Sequence, residues 1–231
     1  MLYSINNKKC FLFPIGKLVD IKYFFNKKSL SSVEVNKELA FLKRNISIAI
    51  VDDEPFPELE TYRNAGYNVT QFTDIDSFDQ LIPFAVIVCD IQGVGKKFGD
   101  TSEGAYIVKE IKDLYPDKYV IVASSHASSL KVADMISRAD RKISRGDGDA
   151  LKSAVSHAIK TVGSDVERWR RIRLFLIEEK GIDLFEVWKI EQEFIKALSL
   201  GNTSGFKSFV EKHSSDVIKG LLINFVSGMI F

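Results

Sequence analysis

Cysteine is scarce in this chain of 231 residues, which contains only Cys10 and Cys89. Such a low content excludes the dense disulfide framework of small secreted domains. Cys89 lies within an apolar run, where a small buried thiol is the ordinary interpretation. We therefore expect a reducing, cytoplasmic location. Histidine is also rare, and the spacing of His126, His157 and His213 is not that of metal ligands, so no histidine-based metal site is predicted.

Neither sign of charge dominates, because 32 Lys and Arg face 31 Asp and Glu, for a formal net charge of +1. This balance gives no global reason to expect nucleic acid or an anionic membrane as a partner. Internal repeats, low-complexity tracts and a signal-peptide cleavage pattern are also missing. The C-terminal apolar stretch, residues 220–231, is shorter than the roughly 20 residues needed for a membrane span, and none is predicted. The composition is that of a soluble globular protein.

Short apolar runs alternate with longer amphipathic ones between residues 46 and 160, which is the pattern of βαβ units. Five strands are predicted, over Ile46–Val51, Tyr67–Thr73, Ala85–Asp90, Tyr119–Ser125 and Lys142–Ser144. Helices are predicted over Ser77–Leu81, Glu103–Leu114, Leu130–Arg138 and Ala150–Lys160. The third and fourth strands are apolar throughout, as expected when helices cover both faces of a sheet. The predicted fold is α/β, a doubly wound five-stranded parallel sheet of flavodoxin-like order 2-1-3-4-5.

Two regions flank this predicted domain of residues 46–160. Residues 161–231 have helical spacing of Leu, Ile and aromatic side chains, and predict an all-helical C-terminal region of about four helices. Their aromatic residues are expected to pack within the chain or across a homodimer. Residues 1–45 form an N-terminal extension, in which Cys10–Phe25 is compatible with a hairpin and Ser31–Arg44 predicts a serine-capped helix.

Polar side chains follow three of the predicted strands. Asp52 and Asp53 come after the first strand, Asp90 ends the third, and Ser124 and Ser125 end the fourth. These strands are neighbours in the order 2-1-3-4-5, so the side chains are expected to meet in one crevice. Crowded carboxylates repel one another unless a cation is present, and hard oxygen ligands suit Mg²⁺. The cluster therefore predicts a magnesium site beside Asp90, whose oxygen is placed to attack phosphorus.

With these motifs the segment 46–160 resembles response-regulator receiver (CheY-like) domains, through the VDDE sequence, the lone Asp90 and the serine after the fourth strand. The resemblance implies that Asp90 accepts a phosphoryl group from a histidine kinase or phosphotransfer protein. It also implies that Asp52 and Asp53, together with Asp90, hold Mg²⁺, and that the Ser124 hydroxyl follows the phosphoryl group. The implied enzymatic activity is limited to self-catalysed phosphorylation of Asp90 and its hydrolysis.

Three features depart from the family pattern. Arg145 stands where the family has a lysine after the fifth strand, and a forked guanidinium differs from an ammonium point charge. Lys142 stands where the family usually has an aromatic switch residue. The loop of residues 91–104 is longer than the common form, and it is interpreted either as a flexible surface insertion or as a lid or partner-binding loop. Its glycines do not have the placement of a phosphate-binding P-loop.

Two functional hypotheses follow. The first is a two-component signalling protein that is phosphorylated on Asp90 with Mg²⁺ and signals through contacts of its helical C-terminus with a downstream protein. The second is a phosphorylation-independent pseudo-receiver that acts as an interaction scaffold, suggested by Arg145, Lys142 and the long loop. A weaker alternative is nucleic-acid binding through the cluster Arg168–Arg173. Because acidic residues follow it, an ion-paired helix face is the preferred interpretation of that cluster.

Overall fold

The computed structural model of the chain describes residues 27–124 and 130–229. The predicted hairpin at Cys10–Phe25, the candidate Ser125 and His126 lie outside these ranges.

Five parallel strands form a single sheet, with the spatial order β2-β1-β3-β4-β5. The strands are β1 (Ser47–Val51), β2 (Asn68–Phe72), β3 (Val86–Cys89), β4 (Tyr119–Ser124) and β5 (Arg141–Ser144). This order confirms the predicted doubly wound fold, which is the flavodoxin-like type.

The helices fall into a group around the sheet and a C-terminal group. Around the sheet are α1 (Leu39–Asn45), α2 (Leu59–Asn64), α3 (Gly104–Leu114), α4 (Leu130–Met135) and α5 (Gly148–Gly163). The C-terminal group contains α6 (Asp165–Glu178), α7 (Leu184–Leu200), α8 (Ser204–His213) and α9 (Asp216–Ser227). The four predicted C-terminal helices are thus confirmed. No described helix has both the length and the apolar content needed to cross a membrane.

Both faces of the sheet are buried because successive side chains of a strand point to opposite sides. In β1, Ile48 and Ile50 belong to the core beneath α1 and α5. Ala49 and Val51 belong to the core beneath α3 and α4. This two-sided burial explains why the central strands are apolar throughout.

Two local predictions differ from the structure. The serine-capped helix predicted from Ser31 is wrong at its start: Leu30–Val33 is a short 3₁₀ helix, and α1 begins only at Leu39. The residues between have no apolar face to bury, since Val35 is 65% exposed, and β-branched valines favour helix weakly. Helix α2 was not predicted; it has six residues, too few for a clear helical period.

The C-terminal helices have a core of their own, built around aromatic side chains. Trp169, Phe194, Phe206 and Phe225 are fully buried together, and the Trp169 and Phe194 rings stack with centroids 4.9 Å apart. The interpretation of these aromatics as core residues within the chain is confirmed.

The helical group is docked on the sheet edge where the strands begin. From α6, the Arg168 guanidinium donates to the Asp117 carboxylate just before β4, and Arg171 Nη2 donates to Asp140 Oδ1 at 2.6 Å just before β5. These contacts lie at the opposite sheet edge from Asp90, which follows the end of β3. The C-terminal helices are therefore anchored far from the predicted phosphorylation site.

The described part of the N-terminal extension bridges both groups of helices. The Lys28 N–H donates to Gln192 Oε1 on α7 at 2.9 Å, and Leu30 packs against the C-terminal core. Further along, Lys37 Nζ lies 3.0 Å from Asp165 Oδ2, and Leu42 is part of the sheet core. The boundaries 1–45, 46–160 and 161–231 remain predictions. Residues of the first range contact residues of both other ranges.

Candidate functional site

Three carboxylates meet at the sheet edge where the parallel strands end. Asp52 directly follows β1 and Asp90 directly follows β3, and these strands are paired with Val51 opposite Cys89. Each of Asp52, Asp53 and Asp90 offers a carboxylate oxygen within 4.8 Å of the others. The predicted convergence of these side chains is therefore present.

The three carboxylates differ in their surroundings. Asp52 and Asp90 are buried, whereas Asp53 is exposed. Burial raises the pKa of Asp90 and the nearby Asp52 charge adds to this, while the Ile91 N–H and the Arg145 guanidinium act in the opposite direction. The Ile91 N–H donates to Asp90 Oδ1 at 2.6 Å, which fixes the orientation of that carboxylate.

Arg145 bridges the two buried carboxylates. Its Nη1 donates to Asp90 Oδ2 at 2.7 Å, and its Nη2 donates to Asp52 Oδ1 at 2.8 Å and to Oδ2 at 3.1 Å. The same Nη2 lies 3.0 Å from Glu54 Oε2, a contact that the sequence did not indicate. The Arg145 backbone N–H donates to the Ser124 carbonyl at 3.1 Å, which places the arginine beside the end of β4. The positive charge predicted for this position thus lies at the cluster.

The donor set fits a magnesium ion in its chemistry. Mg²⁺ takes oxygen ligands at about 2.1 Å, so two oxygens on opposite sides of the ion are about 4.2 Å apart. The carboxylate oxygens of Asp52, Asp53 and Asp90 lie within 4.8 Å of one another, so they would need to move together only slightly to bind the ion. Arg145 already uses oxygens of Asp52 and Asp90, so an ion and this guanidinium would share or compete for the same atoms.

Two other residues singled out from the sequence lie on the last two strands. Ser124 ends β4 opposite Ser144 of β5 and is partly exposed; its predicted role toward a phosphoryl group remains a prediction. Lys142, the residue that stands where receiver domains usually have an aromatic side chain, is exposed on β5.

The long loop after β3 is packed against the domain. Val94 is fully buried in the sheet core, and the Gly95 N–H donates to Asp74 Oδ1 at 2.6 Å. Phe98 stacks on Phe78 with ring centroids 4.6 Å apart. These contacts show that the loop packs on the domain; whether it is a flexible surface insertion or a lid or partner-binding loop remains a prediction.

A cleft of about 270 Å³ opens beside the carboxylates. It lies between the loop after β1 and the loop after β5, with Arg145 and Asp52 in its wall and Phe56 and Leu151 among its apolar residues. The cleft gives a ligand or partner side chain access to the Arg145 side of the site.

The arginine cluster of α6 has its charges paired. Each of its four arginines forms an ion pair: Arg168 with Asp117, Arg170 with Glu167, Arg171 with Asp140, and Arg173 with Glu191. The expected ion pairing is thus present, but the face is not a solvated one throughout, because Arg168 is buried, and none of the four partners is one of the acidic residues that closely follow the cluster. Nucleic-acid binding through this cluster was suggested by its four positive charges, and each of these charges is paired with a carboxylate of the chain.

No family model and no curated protein matches the sequence. Among solved structures, the chain is similar to a CheY-like response regulator receiver domain protein from Methanospirillum hungatei, with 20% identity over 51% of this chain and 95% of the other, at a TM-score of 0.41. A response regulator from Thermotoga maritima matches with 16% identity over 50% and 98% of the two chains, at a TM-score of 0.40. NtrX from Brucella abortus, crystallised with ATP, matches with 21% identity over 66% of this chain and 34% of its own, at a TM-score of 0.42.

Proposed function

We propose that the chain is a response-regulator-like signalling protein that is phosphorylated on Asp90. The supporting observation is the meeting of Asp52, Asp53 and Asp90 at one sheet edge, with Arg145 bridging the two buried members. The donor is a phosphohistidine on a histidine kinase or phosphotransfer protein. Asp52, Asp53 and Asp90 hold Mg²⁺, which neutralises negative charge on the phosphoryl oxygens when bound.

The proposed reaction transfers one phosphoryl group to a carboxylate oxygen of Asp90. That oxygen forms a bond to phosphorus while the bond between phosphorus and the histidine nitrogen breaks, and the electron pair of the broken bond stays on the imidazole. The Ile91 N–H donates to Oδ1 of the carboxylate and Arg145 Nη1 donates to Oδ2, so these two donors orient the acceptor and the Arg145 charge would lie beside the incoming phosphoryl oxygens. Ser124 is assigned the role of the hydroxyl that contacts the transferred group.

Incubation with acetyl phosphate and Mg²⁺, followed by intact mass measurement, tests this function. We expect the wild-type protein to gain the mass of one phosphoryl group, and Asp90→Asn to gain none, because an amide oxygen is a poor nucleophile. Asp149→Asn is the matched control, since Asp149 is an exposed carboxylate at the start of α5. Absence of added mass on the wild type, or added mass that persists in Asp90→Asn, would overturn the proposal.

Arg145 also supports a second candidate function, a pseudo-receiver scaffold that works without phosphorylation. A guanidinium that bridges Asp52 and Asp90 can stabilise the crowded carboxylates without any metal. Under this alternative, Asp90→Asn binds its protein partner and supports the cellular phenotype as the wild type does. Loss of the phenotype in that variant would reject the scaffold.

Replacing Arg145 with alanine is expected to tighten Mg²⁺ binding about tenfold, equivalent to roughly 1.4 kcal/mol. The reason is that the variant removes a cation that shares oxygens of Asp52 and Asp90 with the proposed ion. Isothermal titration with MgCl₂ measures the change. Lys142→Ala removes the same charge from an exposed position of β5 and is expected to leave the affinity unchanged. Equal affinities of the two variants would show that Arg145 does not compete with the ion.

The helical C-terminus is proposed to contact a downstream protein or a second copy of the chain. In its support, Leu174, Leu184 and Leu200 are each more than half exposed on α6 and α7. Light scattering after size-exclusion chromatography, with and without acetyl phosphate, distinguishes a homodimer from a monomer that awaits another partner.

A further inference from the structure

We propose that Lys96 is a second cationic contact for the phosphoryl group on Asp90, so that this group lies between Lys96 and Arg145. The inference rests on the proposed phosphorylation of Asp90 and assigns a role to Lys96, one of the two lysines of the long loop. Lys96 belongs to a 3₁₀ turn, Lys96–Phe98, in the long loop after β3.

Lys96 and Arg145 approach the carboxylate cluster through different members. Lys96 Nζ lies 3.9 Å from Asp53 Oδ2, whereas Arg145 contacts Asp52 and Asp90. One cation comes from the loop after β3 and the other from the end of β5, so each carboxylate has a positive partner. A phosphoryl group bound to Asp90 brings additional negative oxygens, and two flexible donors at the cluster can follow them.

Gly93 shows that the loop is built against the cluster. A Cβ atom at this position would lie 2.1 Å from Asp53 Oδ2, and its φ of +81° lies in the left-handed region. The loop backbone therefore lies directly against the Asp53 carboxylate, and its left-handed φ favours glycine. This close approach places Lys96, three residues later, beside the same carboxylate.

Anchors on both sides of Lys96 fix where its side chain begins. Before it, Val94 is fully buried and the Gly95 N–H donates to Asp74 Oδ1. After it, Phe98 stacks on Phe78. The backbone is thus held in place, while the long side chain, 62% exposed, remains able to move its ammonium from Asp53 to a phosphoryl oxygen.

The neighbouring residue supplies a matched control. Lys97 lies on the same 3₁₀ turn and has a similar exposure of 59%, but its ammonium pairs with Asp76. Lys96→Ala and Lys97→Ala therefore remove the same charge from the same element, and only the first removes the contact with Asp53. Both positions are exposed, so neither variant is expected to affect folding.

The test compares the wild type, Lys96→Ala, Lys97→Ala and Lys96→Arg. The first measurement is the rate of phosphorylation by acetyl phosphate with Mg²⁺, in which the bond between phosphorus and the acetate oxygen breaks and acetate leaves with its electron pair. The second is the affinity for beryllium fluoride, a phosphoryl mimic, with Mg²⁺ present. We expect Lys96→Ala to lower both about fivefold, as an ion pair of roughly 1 kcal/mol predicts.

Lys97→Ala is expected to stay within about twofold of the wild type, and Lys96→Arg to recover most of the loss because the positive charge of this exposed pair is kept. Equal rates and affinities of Lys96→Ala and Lys97→Ala, on a wild type that is phosphorylated, would overturn the role of Lys96 alone. A wild type that accepts no phosphoryl group would overturn the proposed function together with this inference.

Discussion

Replacing Arg168 with alanine is expected to lower the free energy of unfolding by about 3–5 kcal/mol, because it leaves a buried carboxylate without its partner. Arg168 Nε and Nη2 donate to Asp117 Oδ2 at 3.1 and 2.5 Å, and the two side chains are only 6% and 8% exposed. Burial alone would raise the pKa of Asp117, yet Arg168 and the nearby Lys118 hold that pKa below its ordinary value. The carboxylate therefore remains charged in the folded protein and depends on the arginine.

The same guanidinium also donates hydrogen bonds to carbonyls at the C-terminal end of the last helix. Arg168 Nη1 donates to the Gly228 carbonyl at 2.7 Å and Nη2 to the Phe225 carbonyl at 3.3 Å, both at the C-terminus of α9. Carbonyl groups at this end of a helix have no partner within the helix. One side chain thus joins α6, α9 and the turn before β4, so the variant is expected to loosen the docking of the C-terminal helices.

Urea denaturation at neutral pH measures this loss. Arg170→Ala is the control, because Arg170 pairs with Glu167 on the surface of the same helix, and such pairs contribute about 0.2–1 kcal/mol. Replacing both partners, in Arg168→Met with Asp117→Leu, is expected to recover much of the loss, since the Asp117 carboxylate is then no longer buried without its arginine. A loss in Arg168→Ala that equals that in Arg170→Ala would contradict this account.

The interaction between Arg168 and Asp117 is also expected to affect how the free energy of unfolding depends on pH. The folded pKa of Asp117 is depressed, so the unfolded chain takes up the proton first as the pH falls. The contribution of Asp117 to stability is therefore complete above the pKa of the unfolded chain, about 3.9. It is lost as the pH falls through the folded pKa. Arg168→Ala is expected to reduce this part of the pH dependence.

The sheet could be predicted from the sequence because its signals are local. Apolar runs such as Val86–Cys89 must lie between two layers of helices, and parallel strands bring their C-terminal ends to one edge, which places Asp52 beside Asp90. Helix α2 gave too short a pattern, and the start of α1 depends on packing against α5 rather than on Ser31. Local helix propensity therefore predicts neither the presence of α2 nor the first residue of α1.

The contacts that the sequence did not reveal join residues far apart in the chain. Arg168 belongs to a basic cluster that looks like a surface face, and only docking against the turn before β4 buries it with Asp117. The positions of Glu54 and Lys96 at the carboxylate cluster likewise depend on loop conformations. The glycines and lysines of the long loop are the available sequence signal, because a glycine such as Gly93 within a long loop can mark a close backbone approach.

Replacing Gly104 with alanine is expected to cost about 3 kcal/mol of stability, the upper end of the range for overpacked sites. Gly104 is the first residue of α3, and a Cβ atom there would lie 1.9 Å from the Asp90 carbonyl oxygen and 2.9 Å from the Ile91 Cα. Both obstacles are backbone atoms, which cannot rotate away as a side chain would. The helix start or the segment after β3 must therefore move.

This movement ties stability to the proposed chemistry. The Gly104 N–H donates to the Ile91 carbonyl at 3.1 Å, and the Ile91 N–H orients the Asp90 carboxylate, so a shift of α3 also displaces the proposed phospho-acceptor. We expect phosphorylation of Gly104→Ala to fall more than about tenfold, since a misplacement of 1 Å can cost far more than the lost contacts.

Gly220→Ala is the matched control, because Gly220 lies inside α9 with nothing within 4 Å of the added Cβ. There, alanine is expected to stabilise the protein by about 0.5–1 kcal/mol, through its better helix propensity. Urea denaturation of both variants, with acetyl phosphate labelling of each, separates a general effect of the substitution from one specific to the site. If Gly104→Ala were as stable and as readily phosphorylated as Gly220→Ala, the close contact between α3 and the Asp90 backbone would not exist in solution.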